Sequence, residues 1–194
     1  PVTLELGGKN PNIIMSDADL EIAIPGVIDG MRYTRQGQAC TAGSRVYIHE
    51  KIYDKVLEGA VEKLSKLKMG NALDETSDIG AIISEEQLKR TLYYMDIAKK
   101  NSSTKILHGG NQSKGGEYKD GFYYEPTLLS GLPISSPVCQ EEVFGPVACA
   151  IPFKSFDEVV KSANDTPFGL SAVLWTKDLS RALQFVDEIE AGFV

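Results

Sequence analysis

Cys40 lies in Gly37-Gln38-Ala39-Cys40-Thr41-Ala42-Gly43, a run of small residues with no core periodicity. Backbone in such a stretch can approach a ligand closely. A thiol there has the access a nucleophile needs, and it becomes reactive where a helix start or a positive charge favours the thiolate. The alternative is a small buried loop residue, because free cysteines are usually buried. Glu5 interrupts the apolar residues Val2, Leu4 and Leu6 just before Gly7-Gly8. If these residues form a strand, its carboxyl end would bring Glu5 to the edge where open α/β sheets bind ligands, and a carboxylate there can act as a general base. The competing reading puts Glu5 on the solvent side of an edge strand, since most glutamates are exposed.

Other chemistries fit less well. Gly7-Gly8-Lys9 invites a phosphate-loop reading, but the loop requires glycine where Thr3 stands and Ser or Thr where Asn10 stands. The glycine pair alone reads as a strand-ending turn. No G-x-G-x-x-G dinucleotide fingerprint occurs. Cys149 alternates with Val147 and Ile151 on an apolar strand and reads as core, whereas Cys139, in a loop after Ser135-Ser136-Pro137-Val138, stays open. The three cysteines and two histidines have neither disulfide-framework nor zinc spacing. Structural roles are expected for His49 and His108. Glu141-Glu142-Val143-Phe144-Gly145-Pro146 reads as a loop before a strand, with Phe144 expensive to leave in water.

The elements that must position these residues alternate. Short apolar or β-branched runs at Asn12–Met15, Arg45–Ile48, Lys105–Leu107, Val147–Ile151 and Ala172–Trp175 predict strands. Helical spacing links Tyr53, Val56, Leu57, Ala60, Val61 and Leu64, and also Leu179, Ala182, Leu183, Val186 and Ile189, which predicts two helices lying on a sheet. A third helix spans Asp19 to Met31, with Pro25 expected to kink it. Ser84 with Gln87, and Ser155 with Glu158, have capping-box spacing. The order from Val147 to Glu190 predicts parallel strands joined by right-handed crossovers: an α/β fold with a mostly parallel twisted sheet and helices on both faces. Gly109 to Gly116 reads as an exposed turn or loop.

The chain of 194 residues carries 20 basic and 27 acidic side chains, a net charge of −7, with 42% apolar residues. That balance argues against nucleic-acid and anionic-membrane partners, which require a positive surface, and suits an enzyme of small molecules. The longest apolar run, Val147–Ile151, falls far short of the roughly 20 residues of a membrane span. The opening residues carry no leader pattern, and cysteine usage suits a reducing, cytoplasmic compartment. With no initiator Met, and a stop just after Gly192, the chain reads as a piece cut from a longer one.

Together these pieces resemble the aldehyde dehydrogenase superfamily. Glu5-Leu6-Gly7-Gly8-Lys9 matches its glutamate motif, Gly37-Gln38-Ala39-Cys40-Thr41-Ala42 its cysteine motif, and Glu142-Val143-Phe144-Gly145-Pro146 its cofactor-contact motif. Cys40 lies 35 positions after Glu5, as in that family, and Asn164–Leu170 and Ala191-Gly192 continue the match. The resemblance implies that residues 1–194 are the Rossmann-like catalytic domain, with the amino-terminal coenzyme-binding domain and a carboxy-terminal tail lying outside this sequence. By the same resemblance Cys40 is the nucleophile, forming a thiohemiacetal and then a thioester, and Glu5 activates the water that hydrolyses it. The Cys40 N–H would supply half of the oxyanion hole, the other half coming from an asparagine upstream of Pro1.

The resemblance further implies NAD or NADP as cofactor, with Glu142 on the ribose nearest the nicotinamide, Phe144 packed beside ribose and nicotinamide, and the Leu6 carbonyl holding the carboxamide. It implies an aldehyde substrate and a homodimeric or homotetrameric full-length protein. Glu5 points to the hydrolytic rather than the coenzyme A-acylating branch. Arg35 stands where many members carry asparagine, and it is expected to face solvent. A second expectation is that residues 1–194 alone form a folded module without dehydrogenase activity, with a Cys40-dependent esterase as a remnant.

Overall fold

A computed structural model describes residues 1–194. Six strands form one sheet: β1 (Pro11–Ile14), β2 (Arg45–His49), β3 (Lys105–His108), β4 (Thr127–Ser130), β5 (Val147–Phe153) and β6 (Val173–Trp175), in the spatial order β3-β4-β5-β2-β1-β6. Every pairing is parallel except β3 with β4. Side chains of successive strand residues enter opposite layers, which is how the period of two fills two cores. Ile14, Val46, Ile48 and Ala150 pack against α1 (Leu20–Gly30) and α2 (Tyr53–Leu64). On the opposite face Ile13, Tyr47 and Phe153 meet α5 (Phe156–Asn164) and α6 (Leu179–Glu188). Leu129, Val147 and Cys149 meet α3 (Glu85–Lys100) and the short α4 (Pro137–Gln140) there. The mostly parallel α/β sheet covered on both faces is therefore as the sequence predicts.

Three local expectations need correction. Residues 1–10 form no strand; Val2, Leu4 and Leu6 are exposed and nothing pairs with them. β4 was not anticipated, because in Thr-Leu-Leu-Ser only two apolar residues stand between hydroxyl side chains, although all four positions are buried. The helix expected around Pro25 is α1, with Pro25 in its interior. On α6 the apolar stripe lies on the sheet only at its end: Ile189 is buried, while Leu179, Leu183 and Val186 are 72%, 60% and 55% exposed. Periodicity identified the helix, but within it the side chain that enters the core is Phe185, off the stripe read from spacing, joined by Ile189 just past its end.

Helix starts carry the expected caps, used in a modified way. Ser84 Oγ accepts from Gln87 N and Ser155 Oγ accepts from Glu158 N. Neither partner closes the reciprocal bond to its own cap. The Glu158 carboxylate accepts from Lys154 N, and the Gln87 amide is spent elsewhere, on the loop that bears Phe144. Gly109–Gly116 is largely irregular as predicted, although Gly110 is buried. No helix is long and apolar enough to cross a membrane.

Candidate active site

Three loops that enter strands supply the site. Residues 5–10 lead into β1, residues 36–44 lead into β2, and residues 141–146 lead into β5, so the loops meet beside the amino ends of adjacent parallel strands. The expectation of a carboxyl-end crevice behind Glu5 is thus wrong, since the strand that would have ended there does not form. Between the loops and α3 opens a cavity of about 680 Å³, lined by Glu5, Leu6, Gly7, Arg35, Gln38, Ala39, Cys40, Thr41, Gln87, Arg90, Glu142 and Phe144. All five residues singled out from the sequence, Cys40, Glu5, Leu6, Glu142 and Phe144, stand on its wall.

Cys40 is partly exposed, in a turn closed by Ala42 N donating to Ala39 O at 3.0 Å. The chain reaches it through tight left-handed geometry: Arg32, Gln36 and Gly37 have φ of 58°, 56° and 65°. Gly37 meets that demand without strain, and a Cβ there would strike the Gly145 carbonyl. Gly7 and Gly8 serve a related purpose. Their φ angles lie outside the left-handed region, so they are not the turn predicted from their type; a Cβ on Gly7 would enter the Glu142 carboxylate, and one on Gly8 would enter the Cys40 carbonyl. Close approach, not turning, requires both glycines.

Glu142 bridges two loops, its Oε1 accepting from Gly8 N at 3.0 Å. Phe144 has φ of 54°, a left-handed conformation costly for a bulky residue. Its loop is held from α3. Gln87 Nε2 donates to Val143 O (3.0 Å) and Phe144 O (2.7 Å), Arg90 Nη2 donates to Glu142 O (2.6 Å), and Tyr94 OH donates to Glu141 Oε2 (2.8 Å). Burial and that carboxylate push the Tyr94 hydroxyl up to about 12, keeping it a donor at neutral pH. Glu5 and Arg35 are both exposed on the cleft wall. Arg35 makes no ion pair.

Sequence reasoning missed the residues beneath this wall. Asn10, buried, donates through Nδ2 to Cys40 O (2.7 Å) and Ala42 O (3.0 Å), and accepts through Oδ1 from Ser171 N (3.1 Å). Lys9 is buried with Nζ on Val138 O at 2.8 Å, and burial lowers its pKa. Arg45, wholly buried without a carboxylate, donates to Lys9 O, Tyr47 OH, Ser162 O and Ala163 O. The signal available for these was a polar residue at a position flanked by strand, which spacing alone does not separate from an exposed one. Arg45 stood inside a predicted strand with every appearance of an outward charge.

The remaining candidates take bland places. Cys149 and Cys139 are both buried, on β5 and α4. His49 Nδ1 accepts from Lys51 N. His108, its pKa lowered by burial, lines a separate cavity of about 600 Å³ that shares no residue with the cleft and contains no cysteine.

The family model for the aldehyde dehydrogenase family matches residues 1–194. The chain belongs to that family. It is 39% identical to the putative aldehyde dehydrogenase DhaS of Bacillus subtilis, over 100% of this chain and 38% of that protein. It is likewise 39% identical to a betaine aldehyde dehydrogenase of Mesorhizobium japonicum, over 98% of this chain and 39% of the relative. Among solved structures, the NAD⁺ complex of an aldehyde dehydrogenase from Bacillus cereus superposes with a TM-score of 0.94 at 37% identity, covering 100% of this chain and 38% of that one. A Staphylococcus aureus betaine aldehyde dehydrogenase in complex with NAD⁺ gives 0.94 at 37% identity, covering 98% and 37%. This aldehyde dehydrogenase chain thus spans under two fifths of the length of these relatives.

Proposed function

We propose that residues 1–194 form the nucleophile-bearing catalytic domain of an enzyme that oxidises an aldehyde to a carboxylic acid with NAD or NADP, most of the coenzyme contacts lying in chain outside these residues. The observation that carries this reading is the convergence of Cys40, Glu5, Glu142 and Phe144 on one cleft. Family membership supports the reaction class, and relatives solved with NAD⁺ support the cofactor.

The residues present suit a nicotinamide riboside. Gly7 leaves the space beside the Glu142 carboxylate that a Cβ would fill, Glu142 has an oxygen beyond the one on Gly8 N–H to offer a diol, and Phe144, its backbone held by Gln87, lines the cleft. When bound, the cofactor supplies the hydride acceptor. Cys40 thiolate adds to the aldehyde carbonyl carbon, giving a thiohemiacetal whose oxyanion lies within reach of the Cys40 N–H. Loss of hydride leaves a thioester on Sγ. Glu5, on the exposed cleft wall, takes a proton from the water that attacks the thioester; carboxylate leaves and the thiol is restored. The Leu6 carbonyl, on the same wall, is the proposed acceptor for the carboxamide.

The test is Cys40→Ala in the full-length protein. Abolished aldehyde-dependent reduction of NAD⁺ is expected, and retained turnover overturns the assignment. Isolated residues 1–194 are expected to fold without dehydrogenase activity, which the same assay reads directly. A homodimer or homotetramer is the proposed state of the full-length protein; the exposed apolar side chains of α6 support further burial there, and sedimentation measures it.

A further inference from the structure

The turn that carries Cys40 is shaped around a single side chain. Its carbonyls at Cys40 and Ala42 both converge on Asn10 Nδ2, one on each N–H of the amide. The amide orientation is fixed by its surroundings, since Nδ2 faces two carbonyl oxygens while Oδ1 faces the Ser171 N–H. Asn10 therefore satisfies three of the four hydrogen bonds an amide can make while 3% exposed. Gly8 closes the other side: the Cys40 carbonyl occupies the place its Cβ would take. The peptide group following Cys40 is thus gripped between Gly8 and Asn10, below the wall on which the thiol stands. Gly43 N on Gly30 O at 2.9 Å anchors the end of the turn to α1.

We propose that Asn10 is the positioning residue of the nucleophile, setting the direction of Cys40 Sγ and of the Cys40 N–H through the two carbonyls it holds. This rests on the assignment of Cys40 as nucleophile. Asn10 touches neither cleft nor substrate, so its effect is on the geometry of attack rather than on cofactor binding. A misplacement of about 1 Å at a reacting atom costs about 100-fold in rate.

The experiment uses the full-length protein with Asn10→Ala, which removes both donors, and Asn10→Ser, whose hydroxyl retains one. Three quantities are read: kcat per thiol-titrated site, KM for NAD⁺, and the second-order rate of Cys40 alkylation by iodoacetamide. Expected are a fall in kcat of about 10- to 100-fold for Asn10→Ala, a smaller fall for Asn10→Ser, a KM for NAD⁺ within about twofold, and an altered alkylation rate in the same order. A structural role alone would lower Tm and the titrated fraction but leave kcat per site and alkylation of folded protein unchanged, and that result overturns the proposal. Equal loss in both variants, or a loss expressed in KM alone, also overturns it. Alkylation is read whatever reaction the protein catalyses, so an absent dehydrogenase activity would count against the proposed function without disturbing this measurement.

Discussion

Cys40 and Cys139 are thiols in opposite circumstances. Cys139 is wholly buried on α4, and the thiol of Cys149, with the cations of Lys9 and Arg45, holds its pKa below the usual cysteine value against the effect of burial. Cys149 is pushed well up by the same neighbour and by burial. Cys40 stands instead on the wall of an open cavity with Glu5, Arg35, Arg90 and Glu142. The lowered pKa belongs to Cys139, the access to Cys40. The difference teaches that a lowered pKa marks a functional thiol only where a substrate can arrive.

That contrast can be broken or sharpened by measurement. Cys40→Ala in the full-length protein should lower turnover by more than about 10⁴-fold, the effect of removing a covalent nucleophile, read from steady-state reduction of NAD⁺. Glu5→Gln should slow thioester hydrolysis by about 10² to 10⁴-fold, so that quenched-reaction mass spectrometry finds acylated Cys40 accumulating; deacylation at the parental rate removes Glu5 from its role. Gly8→Ala forces a Cβ against the Cys40 carbonyl and should cost about 100-fold in kcat through displacement of the turn. Cys149→Ala should leave kcat unchanged and lower stability by about 1 kcal/mol for the small void, seen as a lower denaturation midpoint. Iodoacetamide at neutral pH should label one thiol per folded chain, at Cys40, with Cys139 and Cys149 reacting only after denaturation. Labelling of the interior pair first would reverse the comparison.

Legibility from sequence followed the physics of each signal. Strands β1, β2, β3, β5 and β6 stood out as short apolar or β-branched runs, and the helices around residues 53 and 179 through apolar residues at helical spacing. β4 is no more buried than β1 or β2, but Thr127-Leu128-Leu129-Ser130 offers only two apolar residues between hydroxyl side chains and reads as loop. The apparent strand at residues 1–6 shows the converse, an alternating pattern with no neighbour to pair. Cys40 and Glu142 stood out through unusual local composition, and the resemblance joined them. Asn10, Lys9, Arg45, Gln87 and Arg90 carry no such mark. Their importance lies in which carbonyl each reaches across 30 to 129 positions of chain, and no local pattern encodes a long-range partner.

The Ser84 cap at the start of α3 has a reach beyond its helix. Its hydroxyl holds Gln87 N, and the Gln87 amide holds the backbone of Phe144 in its left-handed conformation. First turns of helices are the earliest to fray on warming. As that turn loosens, Phe144 is free to relax to an ordinary backbone angle while the sheet stays intact. The loop bearing Phe144 is therefore expected to loosen before the sheet does, leaving the bonds from Arg90 and Tyr94 to hold its earlier residues.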